Sequence, residues 1–243
     1  MTLPRRPLLV LGVLVLAVAS FFAWTWFRDS PLVKVRHVEI TGVSNSPDAE
    51  SIKRDLRQAT LAMTTLNIDA ARLEHAVSEY PIVRSVSASG DFPSTVQVEV
   101  HEYAPVAVLM GPDGRAVPVA FDGTLLPRAA KLKLPSVAVS KTPTEDGFES
   151  GRVRVLVQVL AGAPPPLRQD LDRAYLAEES GIQVAMHDGP TLEFGTSRRV
   201  EAKWASATRV LAAPSSLGAS EIDVRLPERP AARGFASATN PQL

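Results

Sequence analysis

Hydrophobic and polar positions along the chain change rhythm several times, and each change predicts an element. From Leu8 to Phe27 there is no charged residue, and a helix of that length covers about 30 Å, the hydrocarbon thickness of a bilayer. Trp24, Trp26 and Phe27 close the run ahead of Arg28 and Asp29, which fits aromatic rings at the bilayer interface. A cleaved signal peptide is the competing reading: Arg5 and Arg6 precede the run, and Ala17-Val18-Ala19 resembles a small-residue cleavage site. Apolar character continues past that point through Phe22, Ala23 and Trp24, which favours an anchor. A buried core helix is the weakest reading, because the run has no polar face. Basic residues on the two sides, Arg5 and Arg6 against Arg28, Lys34 and Arg36, leave the orientation undecided by charge.

Beyond the connector at Ser30-Pro31, Val33, Val35, Val38 and Ile40 alternate with charges up to Thr41-Gly42, predicting a strand and turn. Ser46-Pro47-Asp48 offers an N-cap and a first-turn proline for a helix carrying Ile52, Leu56 and Ala59. Asp69 can cap a second helix, with Leu73, Ala76, Val77 and Tyr80 on one face and Pro81 as its stop. A strand over Ile82–Ala88, a turn at Gly90-Asp91-Phe92-Pro93 and a strand over Thr95–His101 follow; in the last, Val96, Val98 and Val100 alternate with polar residues. The order strand, helix, helix, strand, strand makes a small sheet covered on one face by two helices.

After Ala104-Pro105 the runs Val106–Leu109, Ala116–Phe121 and Val137–Val139 are separated by Gly111-Pro112-Asp113-Gly114, Asp122-Gly123 and Leu134-Pro135, predicting antiparallel strands joined by tight turns. Val153–Leu160 reads as a helix rather than a buried strand, ending before Pro164-Pro165-Pro166. Ile182–His187 and Thr191–Phe194 form a hairpin pattern about Asp188-Gly189-Pro190. Ser197–Ala212 predicts a helix with Val200, Trp204, Ala207 and Leu211 inward and Arg199, Lys203 and Arg209 off that face. A last strand is expected over Glu221–Leu226, and residues 228–243 carry little that could form a core, so a disordered tail is expected there.

Composition then removes whole classes of function. There is no cysteine, so disulfides, thiolate metal sites and cysteine nucleophiles are excluded. Lys and Arg number 26 and Asp and Glu number 26, which gives no field for gathering nucleic acid. The histidines His37, His75, His101 and His187 share no metal-site spacing. Ser180 lacks the first glycine of a nucleophile elbow, and no glycine-rich phosphate loop occurs. Glu178-Glu179 read as a solvated strand end, and Lys203 beside Trp204 as a surface lysine flanking a core ring. Nothing supports catalysis, a cofactor, a metal or a small-molecule substrate.

Taken in order, the apolar N-terminal run, Val35-Arg36-His37-Val38-Glu39-Ile40-Thr41-Gly42, Leu66-Asn67-Ile68-Asp69, Tyr80-Pro81-Ile82-Val83-Arg84-Ser85-Val86 and Phe92-Pro93-Ser94-Thr95-Val96-Gln97-Val98 resemble the FtsQ/DivIB family of bacterial cell-division proteins. Glu102-Tyr103-Ala104-Pro105-Val106-Ala107, Phe121-Asp122-Gly123-Thr124-Leu125-Leu126, Leu134-Pro135, Leu192-Glu193-Phe194-Gly195, Lys203 and Ile222-Asp223-Val224-Arg225 continue the likeness. Two departures stand out: the family commonly has an arginine where Tyr103 stands and an arginine-aromatic pair where Asp91-Phe92 stands. The resemblance implies an α+β protein with a short cytoplasmic tail (1–7), one transmembrane helix (8–27), a POTRA domain of β-α-α-β-β order (33–103), a mixed, mainly antiparallel β-domain with flanking helices (104–227) and the tail (228–243). It implies no enzymatic activity, a single-pass place in the cell membrane at the septum with the body extracytoplasmic, and partners of the FtsB and FtsL type linked to the septal peptidoglycan synthase complex. The expected binding edge is Glu221, Ile222, Asp223, Val224, Arg225 and Leu226, with Arg225 as side-chain anchor, and Lys203 is a further candidate. A second expectation is a docking role for the open edge of residues 33–103. The rival is an anchored or secreted POTRA-type binding or transport accessory protein, although no set of barrel-forming strands follows residue 105.

Overall fold

The computed structural model describes residues 14–22, 33–43, 46–129, 133–144, 147–148 and 150–235. Residues 14–22 form helix α1, exposed throughout, and no described helix is long and apolar enough to cross a membrane. The rest of the expected span 8–27 lies outside the described residues. The chain divides after Tyr103 into two compact units.

In the first unit β1 (His37–Thr41), α2 (Ala49–Leu61), α3 (Ala70–Ala76), β2 (Val83–Asp91) and β3 (Thr95–Glu102) follow the expected order. The sheet runs β1-β3-β2, with β1 parallel and β2 antiparallel to β3. Alternation drives the layering: Val96, Val98 and Val100 are buried under the helices with Ile52, Leu56 and Leu73, while Gln97, Glu99 and His101 stay outside. Asp69 caps α3, its carboxylate accepting from the Arg72 amide at 3.1 Å. Gly42 sits at φ +80°, and a Cβ there would stand 2.1 Å from the Val100 carbonyl oxygen, so only glycine fits. Three boundaries move. The first strand begins at His37 rather than Val33, although Val33 and Val35 are buried; α2 starts at Ala49 with Asp48 rather than Ser46 in the capping position; and α3 ends at Ala76, well before Pro81.

The second unit is one eight-stranded sheet, β11-β10-β9-β8-β7-β6-β4-β5, made of β4 (Pro105–Met110), β5 (Ala116–Ala120), β6 (Ser136–Ala138), β7 (Leu171–Ala177), β8 (Gly181–Met186), β9 (Thr191–Gly195), β10 (Glu221–Asp223) and β11 (Ala231–Arg233). Helix α4 (Ser150–Ala161), the short α5 (Pro165–Arg168) and α6 (Val200–Leu211) complete it. Trp204 of α6 anchors the core: its ring packs 4.8 Å from that of Phe194, and its Nε1–H donates to the Val159 carbonyl of α4 at 2.7 Å.

The expected antiparallel pairing holds for β4 and β5 but not for β6, which is parallel to β4 and to β7, and in the mixed sheet β10 is parallel to β9. Strand β7 was not expected. A register irregularity between Leu171 and Arg173 puts buried Leu171 and Ala174 three residues apart, which erases the period of two. The last expected strand, Glu221–Leu226, shrinks to Glu221–Asp223. The expected disordered tail is also corrected. Ala231–Arg233 pair antiparallel with β10, and Ala232 packs on the core; residues 236–243 of that expectation lie outside the described ones.

Candidate partner-binding edge

The residues expected to form an open edge are not one. Strand β10 lies between β9 and β11, so both of its backbone flanks are engaged. Ile222 and Val224 are fully buried, and the Val224 amide donates to the Glu193 carbonyl at 3.0 Å. Past that point the chain turns away: the Arg225 amide closes onto the Asp223 carboxylate at 2.9 Å, and Leu226 is exposed. The physical cause is local, since an aspartate two residues before an amide competes for it and ends the ladder.

At this end the sheet border is β11, as β5 is at the other. The Arg233 carbonyl accepts from the Ser220 amide at 3.0 Å, so strand alternation turns the Ala231 and Arg233 backbone groups toward β10 and those of Ala232 toward the open side. Three residues alone hold a strand weakly, and side chains add to the hold. Arg233 Nη2 donates to Glu193 Oε2 at 3.0 Å and to Asp223 Oδ2 at 2.8 Å. Arg225 Nε donates to both Asp223 oxygens at 3.0 and 3.1 Å, and its Nη2 to Oδ2 at 2.6 Å. Glu193 is only 6% exposed and also accepts from Gln183 Nε2 at 3.4 Å. The Arg225 hydrogen bonds, ahead of its charge and that of Arg233, hold the Asp223 carboxyl below the usual carboxylate range. This cluster of two acids and two arginines lies on the sheet face away from Ile222 and Ala232. Exposed apolar residues flank it. Leu226 stands beyond one end of β10, and the segments holding Leu217 and Phe235 meet at the other.

Elsewhere the second unit has an open cleft of about 580 Å³ bordered by Lys133, Asp170, Met186 and His187, where no nucleophile stands beside a base. Among the described residues no group of acids and histidines is placed to hold a metal.

Comparison with known proteins supplies the context for this edge. Residues 33–103 match the POTRA domain, FtsQ-type. Cell division protein FtsQ of Streptomyces bingchenggensis is 28% identical over 235 residues, covering 93% of this chain and 86% of the relative. FtsQ of Corynebacterium glutamicum is 24% identical over 209 residues, covering 84% and 89%. The chain carries an FtsQ-type POTRA domain and is similar over most of its length to FtsQ/DivIB proteins. Cell division protein DivIB of Staphylococcus aureus is 25% identical over 172 residues, 67% of this chain but 36% of that relative, so the alignment leaves most of that longer DivIB unmatched.

Within the second unit Lys203 takes a place the sequence did not reveal. It is 4% exposed, and its Nζ donates to the carbonyls of Phe194 at 2.7 Å and Thr196 at 2.9 Å. Burial, then the nearby charges of Arg199 and Arg198, push its pKa below the ordinary lysine value. The ammonium ties α6 to the end of β9, and its burial withdraws it from the contact set. Reading lysine as a surface charge missed a stem long enough to reach two carbonyls where β9 ends at Gly195, φ +67°. Of the other expected contacts, Glu221 is half-buried, and Arg225 and Leu226 are exposed.

Proposed function

We propose that the chain is a non-enzymatic scaffold of the bacterial division machinery, tethered to the cell membrane by residues 8–27 with its body outside the cytoplasm. It binds small coiled-coil division proteins of the FtsB and FtsL type and links them to the septal peptidoglycan synthase complex. Residues 104–235 act as the binding β-domain and residues 33–103 as a membrane-proximal spacer. One observation carries the binding mode: the sheet ends in a strand whose Ala232 backbone faces outward between exposed Leu226 and Phe235. A partner strand added there gains main-chain hydrogen bonds, and the flanking apolar side chains set its register. The contact set moves accordingly from Glu221–Leu226 to Ala231–Arg233, with Arg225 and Leu226 retained at its margin. Similarity to relatives named as cell-division proteins supports the cellular role.

Ala232→Pro tests the edge, because it deletes the outward N–H and leaves the groups that bond β10 untouched. Pull-down of the FtsB-type partner falls while the melting temperature holds; undiminished capture by the folded variant rules the edge out. The tether is tested apart from this. The full chain stays with membranes through alkaline extraction, whereas a mature form beginning at Ser20 removes the anchor from the account.

A further inference from the structure

The first unit has two unlike ends. Its chain enters beside the β2–β3 hairpin tip: the Arg36 and His37 amides donate to the Ser94 carbonyl at 2.8 and 3.1 Å. It leaves from Glu102, at the opposite end of β3. Residues 33–35 run antiparallel to 63–65, the Val35 amide donating to Met63 and the Thr65 amide to Val33. Leu66 therefore lies beyond Val33, at the end where the described part of the unit begins. Thr65 Oγ1 also donates to the Pro93 carbonyl at 3.2 Å, joining this turn to the hairpin tip.

The large apolar side chains exposed within residues 33–103 are Leu61, Leu66 and Phe92, the last 64% exposed, and all three lie at this entry end. The far end carries none of them. Lys34 and Arg36 are exposed at this end, and the exposed acids Asp69 and Asp91 follow Leu66 and precede Phe92 closely in sequence. The spacing to the apolar run is short: residues 28–32, between Phe27 and Val33, can span at most about 20 Å when fully extended.

We propose that this end of the unit is a lipid-contact tip, in which Phe92, Leu66 and Leu61 enter the headgroup region and Lys34 and Arg36 meet lipid phosphates. The inference rests on the tether proposed above. An aromatic ring and aliphatic chains with basic neighbours match the chemistry of the bilayer interface. The headgroup layer is only about 5–8 Å deep on each side, so the tether keeps the tip within reach of it. Contact there sets the tilt of the unit, because one end is held twice, once by the tether and once by its own surface.

The absence of cysteine makes single-site labelling clean. The full chain is placed in nanodiscs of mixed zwitterionic and anionic phospholipid, with an environment-sensitive fluorophore on Asn67→Cys, His101→Cys or Val15→Cys in turn. The expected result is a blue-shifted probe at 67, shielded from an aqueous quencher, an exposed probe at 101 and a shielded probe at 15. Adding Phe92→Ser and Leu66→Ser should return the probe at 67 to water while 15 stays shielded. A probe at 67 as exposed as that at 101, with 15 shielded, overturns the tip and leaves the tether standing. Exposure at both 15 and 67 overturns the tether and the tip with it. Shielding at 67 that survives the double substitution overturns the roles of Phe92 and Leu66.

Discussion

Arg233→Ala is the most informative single change near the sheet border. Its guanidinium spans two carboxylates, Glu193 at 3.0 Å and Asp223 at 2.8 Å. The two halves of that contact differ in worth. Asp223 keeps the bidentate Arg225 after the change, so that half is nearly replaceable. Glu193, almost fully buried, keeps only the 3.4 Å bond from Gln183 and a more distant Arg225 at 3.8 Å. A hydrogen bond between charged partners contributes about 1.5–3 kcal/mol, but the Arg233 side chain is 47% exposed, and solvent screening reduces this to about 1–2 kcal/mol. The ladder of β11 is three residues long, so the loss falls on local detachment rather than on global unfolding. Hydrogen exchange reads it directly. The Ala231 and Arg233 amides, which face β10, should exchange about 5–30 times faster, while those of β8 and β9 keep their protection. Unchanged exchange at 231 and 233 would falsify the claim that the arginine clasp holds the strand; equal acceleration across β8 and β9 would show that β11 does not detach separately.

Two further predictions concern charge. Lys203→Met keeps the apolar stem and removes the ammonium. The Phe194 carbonyl still receives the Thr196 amide at 2.7 Å, but the Thr196 carbonyl loses its donor, and relief of ammonium burial offsets part of that. Denaturant titration should show a loss of about 1–2 kcal/mol, and a variant as stable as the parent contradicts a structural role. The Asp223 carboxyl is depressed in the folded state by Arg225, so the native form binds fewer protons than the unfolded chain. Its stabilisation is whole above the unfolded carboxylate value of about 3.9 and is lost as pH falls below it. The β11 amide resonances should shift on acidification through that range, and Asp223→Asn should abolish the shift.

Much of this architecture was written in hydrophobic period. The strand at Thr95–Glu102 and the helix at Ala49–Leu61 alternate or repeat so regularly that each buries the residues its pattern selects. Legibility failed where contacts rather than pattern make the element. Ala231–Arg233 holds one core-facing alanine and is a strand because β10 and two carboxylates receive it. Lys203 is buried because two carbonyls at the end of β9 await a donor, which no local sequence announces. The expected edge at Glu221–Leu226 was wrong for the same reason, since what covers a strand is decided by chain that returns later.

The proposal that partners bind by extending β11 is tested most directly by amide exchange on the full chain with and without the proposed FtsB-type partner. The outward Ala232 amide should gain protection on binding, together with Arg233 and Ala231 as the strand is clamped from its free side. A stable complex in which Ala232 exchanges as in the free protein, with protection gained elsewhere, contradicts it.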